Sequence, residues 1–309
     1  MNKIEFGDCR ETMRKWASQG VKAQTCVTSP PYYGLRDYGH EGQIGLEETP
    51  EQYISAMVEV FRCVWDVLED DGTLWLNIGD SYAGNNSRAS NNGRAGFGNA
   101  REKVVNRTGE GLKTKDLIGI PWMLAFALRT DGWYLRQDII WSKPNPMPES
   151  VQDRCTKSHE YIFLLSKSSK YYYDNESIKE KAIHAGEERS FNSPKKAMRN
   201  VDGNVSTGNE HPDALPVEVS EMKNKRSVWT VNPKPYSGSH FAVFPTELIE
   251  PCILAGAPVG GIVLDPFMGS GTTAQVAQDL GRQYIGCELN PEYGKLQKKR
   301  TAQTSLDFA

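Results

Sequence analysis

Leu264-Asp265-Pro266-Phe267-Met268-Gly269-Ser270-Gly271-Thr272-Thr273 joins an apolar run at residues 261–264 to a helix-like segment at residues 272–280. A glycine loop between a strand and a helix lets the backbone approach a ligand closely, and the helix N-terminus adds positive potential. The stretch therefore reads as a cofactor cradle in an α/β fold. A phosphate loop would place lysine after its last glycine; Thr272 stands there instead, which argues against a nucleotide triphosphatase, and the glycines lack dinucleotide spacing. Residues 283–287 read as a further strand. It ends in Glu288, an acid placed where ribose hydroxyls lie in a doubly wound sheet.

Far upstream, a short apolar run at residues 25–28 ends in Ser29-Pro30-Pro31-Tyr32. Adjacent prolines donate no backbone hydrogen bond and hold φ near one value, so the loop is stiff and the Pro30 carbonyl is free to accept. A flat, amino-bearing ring held there would meet two acceptors, the Ser29 hydroxyl and the Pro30 carbonyl, with the Tyr32 ring available to stack on its face. That arrangement suits an exocyclic base amine. A strand-terminating turn is the plainer alternative for these residues alone.

Together the two stretches resemble the amino-methylating DNA methyltransferases, in the subgroup whose catalytic motif precedes the cofactor motif. The family pattern is an acidic or serine residue followed by Pro-Pro-Tyr or Pro-Pro-Phe, and later Asp-Pro-Phe-x-Gly-Ser-Gly-Thr-Thr; both stand here in full. The resemblance extends over residues 4–32, 72–82, 116–167 and 240–293. It implies a Rossmann-like α/β fold: a mostly parallel twisted sheet with an antiparallel strand pair, helices on both faces and an inserted DNA-recognition region. It implies S-adenosylmethionine as cofactor and double-stranded DNA as substrate. Ser29, Pro30, Pro31 and Tyr32 become catalytic candidates. Asp265, Pro266, Phe267, Gly269, Ser270, Gly271, Thr272 and Glu288 become cofactor-binding candidates. Asp8 joins them as an adenine contact, although it equally reads as a helix N-cap. Phe244, Pro245 and Thr246 would border the methionine end of the cofactor. Many relatives carry lysine before that proline, so Phe244 sets a salt bridge to the cofactor carboxylate in question. Serine at position 29 favours cytosine N4 as the methylated atom, with adenine N6 as the alternative. An RNA or protein amide methyltransferase, or a DNA-binding module without catalysis, are further alternatives. The resemblance also implies a bacterial or phage origin and a cytoplasmic, nucleoid-associated location.

With 309 residues the chain can bury one large α/β core plus an inserted subdomain. The expected division is a catalytic domain at 1–170 and 227–309, interrupted by a target-recognition region at 171–226. Basic and acidic residues number 36 and 39, so DNA must meet a local basic face rather than a global positive field. Six scattered cysteines form no Cys-x-x-Cys pair, and five histidines show no metal-ligand spacing; no metal is expected. The N-terminus is unlike a signal peptide and no apolar run approaches membrane length, so no membrane partner is expected. A homodimer is compatible with this reading.

Residues 10–18, 51–69, 115–130, 247–255 and 292–300 read as helices, and 4–8, 73–78, 133–141 and 160–165 as strands. Residues 84–111 form a polar loop expected to be flexible, in which Arg88, Arg94, Arg101, Lys103 and Arg107 oppose only Glu102 and Glu110; it suits DNA phosphates or is simply solvated. Arg36, in the loop after Tyr32, either touches DNA or pairs with Asp37. The Pro-rich segment 142–150 offers Lys143 and Asn145 to the base pocket or to DNA, or serves as a spacer. At the end, Gln303, Leu306 and Phe308 have the spacing of peptides that dock into bacterial sliding clamps.

Overall fold

A computed structural model describes residues 1–37, 39–84, 111–183, 185, 188–189, 198–199, 205–206, 217–218, 220–233 and 244–302. The chain divides into two compact units, Met1–Asp174 with Arg226–Ala309, and Asn175–Lys225. The first carries an eight-stranded sheet of β1 (Asn2–Phe6), β2 (Ala23–Thr28), β3 (Leu68–Ile78), β4 (Tyr134–Ser142), β5 (His159–Ser166), β6 (Val228–Thr230), β7 (Ile262–Asp265) and β8 (Gln283–Glu288). Their order is β1-β8-β7-β2-β3-β5-β4-β6. Only β5 runs against its neighbours, β3 and β4; the other pairings are parallel. The chain thus has the Rossmann-like, mostly parallel sheet its sequence implied.

Parallel strands such as β2 and β7 are buried along nearly their whole length, and a sheet buried on both faces needs helices on both. Helices α1 (Cys9–Ser18), α2 (Pro50–Val67) and α3 (Ile120–Thr130) pack side by side in one layer; α4 (Thr246–Gly256), α5 (Thr272–Asp279) and α6 (Gly294–Thr301) form the other. The first layer covers the main core, in which α2 buries Tyr53, Met57, Val60, Phe61, Val64 and Val67. Each such side chain contributes about 1.5–3 kcal/mol on leaving water. Thr49 and Gln52 close a reciprocal capping box at the start of α2, with Pro50 in its first turn.

Three departures from the sequence reading have local causes. Asp70-Asp71-Gly72 does not end the helix and restart the chain; β3 runs through it from Leu68, with a register shift against Ala23–Thr25 that absorbs the extra residues as a bulge. Gly72 is required there, because a Cβ would lie 2.9 Å from the Glu69 carbonyl oxygen. Helix α3 starts at Ile120 rather than at 115, since Gly119 takes φ +86° and Asp80 accepts from the amides of Gly119 and Ile120. Val228–Thr230, which lies outside the expected strands, forms an edge strand on β4.

The second unit contains short antiparallel pairs: Glu180–Lys181 with Met222–Lys223, Glu188–Arg189 with Val217–Glu218, and Met198–Arg199 with Val205–Ser206. None of its described residues is helical. Among the described residues no helix is long and apolar enough to cross a membrane.

Candidate active site

Because β1, β8, β7 and β2 are consecutive and parallel, their C-terminal ends share one edge of the sheet. That edge carries Asp8, Glu288, Asp265 and Ser29 in order, over roughly 15 Å at normal strand spacing. Thr28 and Asp265, 237 positions apart, are joined directly: Thr28 Oγ1 donates to Asp265 Oδ1 at 2.6 Å. Thr273 Oγ1 donates to Oδ2 at 2.6 Å and the Phe267 amide to Oδ1 at 3.0 Å. Asp265 is thus a buried tether between the strand that delivers Ser29 and the glycine loop. Burial pushes its carboxyl up to about 6, against the pull of these three donors.

On the cofactor side, Gly269 and Gly271 adopt φ +53° and +90°, conformations that favour glycine. A Cβ on Gly271 would stand 3.2 Å from Cα of Gln297, whose side-chain amide donates to the Gly269 carbonyl at 2.8 Å. The Gly269 and Asn290 amides donate to the two oxygens of Glu288 at 2.7 and 2.8 Å. Burial nonetheless raises Glu288 to about 7. The hydroxyls of Ser270 and Thr272 are buried with no hydrogen-bond partner among the described residues. Pro266 is buried and Phe267 half-buried. Asp8 caps α1 through the Arg10 amide and forms an ion pair with the Arg10 guanidinium, which holds its carboxyl below the usual range. Pro245 is the N-cap of α4, with Phe244 and Thr246 half-buried beside it.

On the other side of Asp265, Tyr53 Oη donates to the Pro31 carbonyl at 2.9 Å and Leu35 N to the Tyr32 carbonyl at 3.2 Å. The Pro30 carbonyl receives no hydrogen bond from the described residues. Tyr32 Oη donates to Glu160 Oε2 at 2.7 Å, and the Ser29 hydroxyl sits beside the same phenol. Burial, and then the Glu160 charge, push the phenol well above its ordinary value. The other oxygen of Glu160 pairs with Lys143, whose ammonium lies 4.1 Å from the Trp141 ring centre. The ring of Tyr32 rests on Gly79, where a Cβ would come within 2.6 Å of Cε2.

Lys143 therefore lies in an ion pair at the pocket, while Asn145 is exposed and Arg36 half-buried. Arg88, Arg94 and Arg101 fall outside the described residues, as do Gln303, Leu306 and Phe308. Tyr53 and Lys157 carry no sequence signal of a site role, whereas Gly79 opens the exit of the expected strand 73–78. Lys157 donates to the Asp80 carbonyl at 3.1 Å, and burial lowers its ammonium. An acid at the head of the apolar strand 160–165 was the one available signal for Glu160.

A mostly parallel sheet with a glycine cradle and a Ser-Pro-Pro-Tyr loop on one edge defines a class, the α/β methyltransferases. The DNA methylase family model for N6 and N4 amino-methylases matches residues 23–299, and the chain belongs to that family. It is 51% identical to the Type II methyltransferase M.SmaI of Serratia marcescens, over 96% of this chain and 90% of that one. It is 49% identical to M.Cfr9I of Citrobacter freundii, over 93% and 83%. Among solved structures, PvuII DNA methyltransferase (cytosine-N4-specific) shares the fold with a TM-score of 0.61 at 16% identity, over 99% of this chain and 88% of that one. The M1.HpyAVI–SAM complex does so with a TM-score of 0.56 at 18% identity, over 97% and 99%.

Proposed function

We propose that this chain is a Type II DNA methyltransferase that moves a methyl group from S-adenosylmethionine to the N4 amine of a cytosine turned out of the duplex. The single observation that carries the reading is the Thr28–Asp265 tether, which brings the amine-accepting loop and the glycine cradle to one edge. Three observations support a fit to the cofactor: Glu288 stands at the end of β8, where it would accept from ribose hydroxyls, Gly269 and Gly271 would leave room for close approach, and the buried hydroxyls of Ser270 and Thr272 have no partner among the described residues. S-adenosylmethionine supplies an electrophilic methyl when bound. Asp8 and Glu288 would lie toward its adenosine, and Phe244, Pro245 and Thr246 toward its methionine.

A base amine is a poor nucleophile because its lone pair is delocalised into the ring. Hydrogen bonds from its two N–H groups to Ser29 Oγ and the Pro30 carbonyl turn the nitrogen toward tetrahedral geometry and aim the lone pair at the methyl carbon. The Tyr32 ring face and these acceptors stabilise the positive charge that develops on nitrogen. Turning the base out of the stack costs a few kcal/mol. Arg36 and Asn145 lie on segments next to this loop and would meet the DNA backbone; the unit Asn175–Lys225 would read sequence.

Serine at position 29, where an acid would favour adenine N6, supports cytosine. The test is mass spectrometry of nucleosides from DNA treated with the protein. N4-methylcytosine is the expected product, and N6-methyladenine alone would overturn the choice of base. Ser29→Ala should lower incorporation of labelled methyl into DNA about a hundredfold, the scale for removing one preorganised hydrogen-bonding group.

A further inference from the structure

We propose that Glu160 is a positioning residue for methyl transfer, which acts through the Tyr32 phenol to hold the aromatic ring of the catalytic loop in place. The inference rests on reading Ser29-Pro30-Pro31-Tyr32 as the amine-methylating loop.

Several contacts hold the ring, among them Asn77 Oδ1 at 3.4 Å from the phenol and the Ser29 hydroxyl beside it. The ring's hydroxyl donates to Glu160 Oε2 at 2.7 Å, its edge rests on Gly79, and the backbone behind it is held by Tyr53 on the Pro31 carbonyl. The packing of the ring edge on Gly79 limits rotation of its plane, and the bond to Glu160, made at the ring atom farthest from the backbone, restrains the swing of the whole ring about χ1. The carboxylate is itself immobilised. Oε1 pairs with Lys143, Asn77 Nδ2 approaches Oε2 at 3.4 Å, and Glu160 sits opposite Trp141 in the β4–β5 ladder. Side-chain exposures of 15% for Glu160 and 18% for Lys143 mean that the pair is shielded enough to hold one geometry. Lys143 is in turn packed over the Trp141 ring.

Two other roles for Glu160 fit less well. As an anion stabilising the cationic nitrogen, its charge would be largely cancelled by the ammonium in direct contact with Oε1. As a plain link between strands it would be redundant, since β4 and β5 are already paired from Tyr134↔Ser166 to Ser142↔His159. The family pattern also admits phenylalanine at the position of Tyr32, which needs no acceptor. Here the phenol and its charged acceptor occur together, as they would if the hydroxyl were there to be held. A ring held in place before the base arrives avoids the cost of ordering it during reaction.

The experiment compares wild type, Glu160→Gln, Tyr32→Phe and the double variant. Single-turnover methylation is measured on DNA carrying the chain's own mapped sites, together with the Kd for S-adenosylmethionine and the KM for DNA. Each single variant should lose about tenfold in the methylation rate, the scale of one hydrogen bond to a charged group, with both binding constants within about twofold of wild type. The double variant should be no slower than the slower single one, because both changes break the same bond. The proposal is overturned if Tyr32→Phe or Glu160→Gln keeps the wild-type rate. It is equally overturned if the two losses multiply, or if cofactor binding falls in step with the rate, as a merely structural role would require. A wild-type chain that methylates no DNA overturns the underlying reading instead, and this inference with it.

Discussion

The two sides of the active edge are assembled by different means. On the cofactor side, the groups that shape the cradle come from one stretch of chain, Asp265 to Gln297, where Phe267, Thr273, Glu288 and Gln297 act within some thirty positions of each other. On the base side, the loop at 29–32 is held by Tyr53, Gly79 and Glu160, brought from α2, the exit of β3 and the start of β5. A cradle built from consecutive residues keeps its shape when its neighbours change. A loop held from three distant elements is only as well placed as the packing of those elements.

Asp265 joins the two sides through Thr28 and Thr273, so its loss should have the largest effect. Asp265→Ala leaves Thr28, Thr273 and the Phe267 amide without their acceptor in a buried site, and on the order of 3 kcal/mol of stability should vanish in denaturant titrations. Its raised carboxyl adds a pH signature. Between the unfolded value of 3.8 and about 6, the unfolded chain ionises at this residue while the folded one keeps its proton. Stability therefore falls with rising pH across that window and levels off above it; Asp265→Asn should lack this component.

Gly79→Ala should separate the sides. A Cβ 2.6 Å from the Tyr32 ring forces the ring to move, at a cost of about 1–3 kcal/mol, and methylation should drop roughly tenfold or more while cofactor affinity stays unchanged. Loss of cofactor binding in this variant would break the comparison, because the base side would then be shaping the cradle. Glu288 gives a smaller, pH-dependent effect on the opposite side. With its carboxyl at about 7, the ionised form that best accepts ribose hydroxyls fills in as pH rises from 6 to 8. Affinity for S-adenosylmethionine should tighten several-fold over that range and become flat in Glu288→Gln, as measured by calorimetry. The smallest effect is expected at Lys143. One lost phosphate contact would reduce the salt slope of DNA binding by about 0.9. Since the ammonium is engaged by Glu160, Lys143→Gln should leave that slope unchanged.

The same contrast explains what the sequence disclosed. The glycine loop, Glu288 and the Ser-Pro-Pro-Tyr turn were legible because each is a local pattern whose residue types are dictated by backbone conformation or by chemistry at one place. The helix at 51–69 was legible from its stripe, and α2 occupies Pro50–Val67. Glu160 was not, since a single acid at a strand end gains meaning only when β5 inserts antiparallel between β3 and β4. The start of α3 was misread for a related reason. The carboxylate that caps it is Asp80, about forty positions upstream, and no nearby residue announces it. The bulge at Asp70-Asp71-Gly72 lies between the expected helix 51–69 and strand 73–78, and pairing with β2 overrides the turn preference of its residues.

The first strand lies against the last one, with Asn2 opposite Tyr284 and Phe6 opposite Glu288. The Phe6 ring also reaches to within contact distance of Gly294, near the start of α6. With these strands adjacent, a linker across this seam and a cut in another connection would preserve every neighbour relation along the sheet. The order of the base-handling and cofactor-handling segments along the chain is thus not what sets them on one edge; the strand order of the sheet does.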